Sequence, residues 1–383
     1  MTRKERMEAL IHGRSYDRPP FNFYEITAID QKPRPGDPFC IYNDPSWAPV
    51  VQLAWEKSDI ILLRPPVFHM EEPLTNKKPI YAEHTETHID EKGSRWTTYT
   101  LEIDGHTLRR VERRDPDVDT IWTIEHLLKD EDDLEAWMKL PDQEITEIDD
   151  TSFFHDEALL GDRGIVALDW GDTLGTLAGL FSMEDFTITA MTCQDLFQEA
   201  LDKVHRTLVK QYKAAAHHFP NRMWRLWGPE YAGVPYLPPY LYDRYVVPYD
   251  TEASAICRES GGVPRYHQHG HLSQNLASMI KMGAWGIDPV EPPSQGDVTL
   301  KQVRDTYGDQ LVLFGNLEAS DIETLSPDEF AVKVNTALDE GMDGGRFVLQ
   351  ASASPYGRHF SETALNNYRR WVQIMEERFP GTL

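Results

Sequence analysis

Eight short apolar runs, separated by longer stretches of helical period, are the feature that most constrains this chain. The runs are 21–26, 59–63, 164–169, 223–228, 263–267, 286–290, 311–315 and 346–350. Segments 45–56, 194–218, 238–259, 272–282, 327–338 and 362–378 carry apolar residues at helical spacing and read as helices. A strand-helix repeat predicts parallel strands, because a parallel connection has to travel the length of the sheet and a helix does so economically. Eight such units predict a (β/α)8 TIM-type barrel. A short amphipathic segment ahead of the first run adds an N-terminal helical extension. No Gly-x-Gly-x-x-Gly turn follows an early run, so an open dinucleotide-binding sheet has no support. One stretch, 91–114, breaks the alternation. Its two polar-apolar runs flank Asp104-Gly105, which predicts a β-hairpin inserted over one end of the barrel. The acidic stretch from Lys129 to Glu135 reads as a helix start, where the dipole favours carboxylates. The chain, 1–383, thus reads as one barrel domain carrying one insertion.

Charge narrows the partners. With 63 acidic and 38 basic residues the formal charge is -25, which repels phosphate backbones and anionic bilayers. Nucleic acid and membrane are therefore not expected as partners. The three cysteines, Cys40, Cys193 and Cys257, are too far apart for a disulfide framework or a Cys-x-x-Cys pair. The N-terminus lacks an apolar signal core, and no apolar run reaches membrane-spanning length. The expected location is the cytoplasm. A stock of 10 Trp, 16 Tyr and 15 Phe suits a pocket for an organic substrate.

In a barrel the chemistry gathers where strands end. Here the fifth run closes on His267-Gln268-His269-Gly270-His271. On a strand, residues two apart share a face, so His267 and His269 point the same way, with His271 taking over if the strand ends differently. Paired neutral imidazoles suit zinc or another divalent ion, and a third ligand comes from another segment. Glu291, one strand onward, is the best-placed carboxylate, and Glu230, one strand earlier, competes with it. A polar strand end with solvated histidines is the alternative. Asp297 reads equally as a catalytic acid or as a cap for the helix that begins near Val298-Thr299-Leu300.

Several motifs together resemble the uroporphyrinogen decarboxylase superfamily over nearly the whole chain. They are His267-Gln268-His269-Gly270, the stretch from Met282 to Asp288 with Glu291-Pro292-Pro293 and Gly296-Asp297, the stretch from Gly308 to Asn316, and that from Gly345 to Leu349. True uroporphyrinogen decarboxylases open on an arginine-rich loop for a polycarboxylate. Here the corresponding segment runs from Tyr16 to Glu25 and ends in an acid, which disfavours that substrate. The branch of cobalamin-dependent methyltransferases is the closer resemblance. Its thiol-alkylating members hold zinc with a His-x-Cys-Gly motif and a later cysteine. This chain has His269 in the first cysteine's place and Ala351-Ser352-Ala353-Ser354 where the second falls.

The resemblance therefore implies a harder, more Lewis-acidic site for an oxygen leaving group. In this reading His267, His269 and Glu291 bind zinc or another divalent metal. Glu230 or Asp297 protonates the departing oxygen. Trp170, Tyr231, Tyr236 and Asn316 receive the substrate, a methoxylated aromatic or a methanol-like methyl donor. The methyl acceptor is cobalamin carried by a partner corrinoid protein, since this chain has no Asp-x-His-x-x-Gly corrinoid segment. Monomer and homodimer both stay open. Two other readings stand beside it: a lyase or hydrolase for another small substrate, and a non-catalytic binding member.

Overall fold

The computed structural model describes residues 1–70 and 81–383. Eight parallel strands form one sheet curved into a barrel. In chain order they are β1 (Phe21–Asn22), β2 (Ile60–Arg64), β3 (Gly164–Gly171), β4 (Met223–Trp227), β5 (Val263–His267), β6 (Gly286–Asp288), β7 (Val312–Leu317) and β8 (Phe347–Ala351). Each pairs with its sequence neighbour from β2 to β8, and β8 pairs with β1. All eight predicted runs are strands, and helices follow on the outside. The seam between β1 and β2 is closed by Asp59. Its N–H donates to the Phe21 carbonyl at 2.8 Å, and its carboxylate accepts the Phe21 N–H at 2.9 Å.

Strand alternation divides the core in two. Outward-facing residues such as Leu226, Tyr266 and Ile287 pack under the helices in the main cluster. Inward-facing Ile61, Ile165, Met223, Val263, Val312 and Val348 fill the barrel floor, plugged from below by Met7 and Leu10 of the helix Arg3–Ile11. This is the predicted N-terminal extension, and burying its apolar face in the barrel holds it in place.

Three helices differ from expectation. The segment 238–259 splits into Pro239–Tyr245 and Val247–Glu259, because Pro248 lacks the N–H that a continuous helix would bond to the Arg244 carbonyl. The segment 272–282 is helical only over Leu276–Lys281, since Asp297 takes the Leu272 and Ser273 N–H groups at 2.8 and 3.1 Å and holds them in a loop. The segment 45–56 opens with a 3-10 turn before its helix, Ala48–Lys57.

The hairpin is present as Arg95–Ile103 and His106–Arg114, turning at Asp104 and Gly105, both with positive φ. It belongs to a larger four-stranded antiparallel sheet with Tyr81–Ile89 and Ile121–Glu125. The strand Tyr81–Ile89 is exposed almost throughout, so it has no apolar face for sequence periodicity to reveal. Among the described residues no helix is long and apolar enough to cross a membrane.

Candidate active site at the barrel mouth

Above the apolar floor the barrel interior turns charged. In register, Asp169 of β3 sits beside Arg225 of β4, which sits beside Arg265 of β5. Two neighbouring guanidinium groups inside a barrel need counter-charges, and they have them. Arg225 donates to Asp169 Oδ1 at 2.8 Å and to the Tyr24 hydroxyl at 2.5 Å. Arg265 donates to Asp288 Oδ2 and to Gln350 Oε1, the latter at 3.2 Å, and lies 4.1 Å from the Phe314 ring centroid. Burial alone would raise the Asp288 carboxyl, but Arg265, His267 and Arg225 outweigh it and hold Asp288 ionised.

One layer higher stand the two histidines. His267 is buried, with Nδ1 3.3 Å from Asp288 Oδ2. Its pKa is lowered to about 4, by burial and then by Arg225, so the ring is neutral. His269 lies with its ring 4.6 Å from that of His267, nearly perpendicular, and is open to the mouth. Its Nδ1 is 2.7 Å from Glu291 Oε1, and Glu291 Oε2 accepts the Gly270 N–H at 2.7 Å. Gly270 has a φ of 78°, the left-handed region that lets the chain turn its N–H back onto Glu291. Burial disfavours charge on His269, yet the bond to Glu291 wins and raises its pKa. The same bond overcomes burial of Glu291 and lowers that group. The pairing favours the charged form of each.

The expected metal set does not assemble. Glu291 lies behind His269, on its Nδ1, and so orients the ring; it does not join His267 and His269 around a shared point. Among the described residues no group of three or more His, Cys, Asp and Glu side chains is disposed to hold an ion. His271 is exposed and outside the cluster. The cysteines are elsewhere: Cys193 precedes a helix, Cys257 is buried within one, and Cys40 is buried before a 3-10 turn.

The other predicted residues separate. Glu230, in the 3-10 turn after β4, reaches the mouth within electrostatic range of His269, and burial raises its pKa. Gly228 makes that turn: a Cβ there would stand 2.1 Å from Asp172 Oδ1. Asp297 is taken up by the loop after β5. It accepts two backbone N–H groups and the Ser273 hydroxyl, which outweigh its partial burial and keep it ionised. Nor does it cap the next helix, whose N-cap is Thr299. Trp170 has the wrong phase. On β3 Asp169 points inward, while Trp170 packs outside on Tyr212 and Trp224, at centroid distances of 5.4 and 5.0 Å. Tyr231 is half-buried and packs edge-on against Phe186, and Tyr236 is exposed. Asn316 is in register with Gln350, on the inward phase that it shares with Phe314.

Sequence reasoning missed Arg225, Arg265 and Glu318. The arginines share the alternate phase of His267, a signal present in Met-Trp-Arg-Leu-Trp and Val-Pro-Arg-Tyr-His. Glu318 follows β7, two residues beyond Asn316 and so on its phase. Its pKa is raised to about 7, by burial and then by the charge of Glu291. The Ser352 hydroxyl donates to Glu318 Oε2 at 3.1 Å.

A charged mouth at the carboxyl ends of barrel strands is where enzymes on this fold do their chemistry. A solved methyltransferase from Methanosarcina mazei superposes with a TM-score of 0.57 and 16% sequence identity, covering 99% of each chain. The fold is shared with a methyltransferase. A Bacteroides ovatus GH5 xyloglucanase reaches a TM-score of only 0.30 at 10% identity, over 82% of this chain and 98% of its own, and carries no argument. No protein-family model matches the chain, and no curated protein does.

Proposed function

We propose that this chain is a methyltransferase that removes a methyl group from an oxygen donor, a methyl ether or a methanol-like compound, and passes it to cob(I)alamin on a partner corrinoid protein. The observation that carries the reading is Glu318, a carboxyl whose pKa is raised to about 7, beside the His269–Glu291 pair in the mouth of a barrel shared with a methyltransferase. An oxygen leaving group departs as a poor anion unless it is protonated, and a donor with a pKa near the working pH does this best. His269, held by Glu291 through Nδ1, has its other ring nitrogen left to polarise the donor oxygen. As the carbon–oxygen bond breaks, its electron pair goes to oxygen and the Glu318 proton follows. The corrinoid supplies the electron pair that takes up the methyl carbon. Burial likewise raises the pKa of Glu230, which lies within electrostatic range of His269.

The distribution of cysteines supports oxygen over sulfur as the leaving atom, since none of the three belongs to the mouth. Zinc-thiolate chemistry has no ligand set here, and no step is routed through a metal. The test is to mix the protein with cob(I)alamin and a panel of methyl ethers and to follow methylcobalamin by absorbance. Turnover with an ether but not with a thioether supports the reading; methylation from neither overturns it.

A further inference from the structure

Behind the turn that carries Glu230, two carboxyl groups are sealed from solvent and meet. Asp172, just past β3, is 0% exposed, and Asp250, in the helix Val247–Glu259, is 1% exposed. Their side chains hydrogen-bond to each other. Neither Oδ2 atom receives an N–H or O–H from any other described residue. Ionised carboxylates have only acceptor oxygens, so the bond exists only while at least one of the two holds a proton. Asp172 is also built into the wall of the mouth. Its Oδ1 accepts the Gly175 N–H at 2.5 Å, and its own N–H donates to the Trp227 carbonyl at 2.8 Å. The next residue, Gly228, has no room for a Cβ beside Oδ1, and its N–H donates to Glu230 Oε2 at 3.2 Å.

The surroundings hold the proton in place. Burial, against the Gly175 N–H, pushes the Asp172 carboxyl up to about 8. Burial and the charge of Asp172 push Asp250 well above the usual carboxylate range. The titratable groups facing the pair are acids or phenols: Glu230 from the turn after β4, Tyr212 from the helix Gln194–His218, Tyr242 from Pro239–Tyr245 and Tyr266 from β5. His205, also on Gln194–His218, is bonded instead to the Thr173 hydroxyl and to Glu252, at 2.9 and 3.1 Å.

We infer that Asp172 and Asp250 form a proton-held latch, which fixes the Gly228–Glu230 turn in the wall of the mouth and frees it when the pair loses its protons. Closed, the pair keeps protons that the same carboxyls give up once opened to water. Opening is therefore favoured as pH rises from the ordinary value 3.8 toward about 8, and opposed as pH falls. The latch is independent of the methyl transfer proposed above.

Hydrogen exchange of the full chain, followed by mass spectrometry from pH 5 to 8 and corrected for the intrinsic effect of pH, reads the latch without any turnover. Peptides spanning 172–178 and 228–231 are expected to lose protection by about tenfold or more per pH unit. At pH 8 they should exchange about tenfold or more faster than the strand peptides of β3 and β4, because the latch opens without unfolding the barrel. Asp250→Asn puts on Asp172 an amide donor that does not titrate and leaves His205 in place. That variant should lower the pH dependence by about tenfold per unit, with thermal unfolding at pH 5 showing that it is folded. The infrared difference between wild type and Asp250→Asn at pH 7 should contain the carbonyl stretch of a protonated carboxyl. Protection that does not change with pH in wild type, opening only together with β3 and β4, a slope unchanged in Asp250→Asn, or no protonated-carboxyl band would each overturn the latch. The two wild-type exchange outcomes decide the matter even if the variant does not fold.

Discussion

His269 Nδ1 and Glu291 Oε1 stand 2.7 Å apart, and this pairing orients the half-buried histidine of the mouth, favours its charged form and takes up the glutamate oxygen. The prediction concerns metal content. After exhaustive dialysis, elemental analysis of wild type and His269→Ala should find well under one zinc per chain in both. Near-stoichiometric zinc in wild type, lost on His269→Ala, would show that the histidines and a carboxylate do converge on an ion.

Glu318 should be a site where stability is given up for function. A carboxyl whose folded pKa lies above its unfolded value binds more protons when folded, so stability falls as pH rises between the two. For Glu318 that window runs from the ordinary value 4.5 up to about 7. Glu318→Gln, which cannot ionise, should therefore gain on wild type in denaturant titrations as pH passes from 5 to 8. A constant difference across that range would mean that Glu318 is ordinarily solvated.

His267 has the opposite sign of proton balance. Burial lowers its folded pKa from 6.5 to about 4, so the unfolded chain binds the extra proton in that window and stability is lost as pH falls through it. The difference is worth about 3 kcal/mol at full extent. His267→Asn should flatten the acid limb of the stability curve between pH 6.5 and 4 without altering it above pH 7.

Asp288 balances Arg265, lies near Arg225, and holds His267 through Nδ1. Removing one partner of a buried ion pair leaves the other charge uncompensated, at a cost of about 3–5 kcal/mol. Asp288→Asn should lose stability on that order by urea unfolding. The double change Asp288→Asn with Arg265→Met should lose less than the sum of the single ones.

The barrel was legible because each inner strand is a short apolar run bounded by turn residues and followed by a helical period; all eight runs are strands, and β5 is placed to the residue. The hairpin was legible from Asp104-Gly105, whereas its outer partner, the exposed strand Tyr81–Ile89, was not, because neither of its faces is apolar. Within the site, strand phase placed His267 and His269 together and set Glu230 and Glu291 near them. The same phase, with Asp169 beside Arg225, puts Trp170 on the outside, against the expectation that it receives substrate. What sequence alone could not give was the direction of each imidazole. Both Nδ1 atoms turn to carboxylates, Asp288 and Glu291, and that choice depends on strand register between β5 and β6. Glu318 escaped notice because its raised pKa comes from burial beside Glu291, a contact between residues far apart in the chain.

The most direct measurement is a single-turnover reaction of the full chain with cob(I)alamin and a methyl ether, labelled with carbon-13 at the methyl, read by NMR. The account predicts label on the corrinoid and demethylated alcohol in equal amounts, with the rate lowered about 10²-fold or more by Glu318→Gln. Label that stays on oxygen, with the donor demonstrably bound, would contradict it.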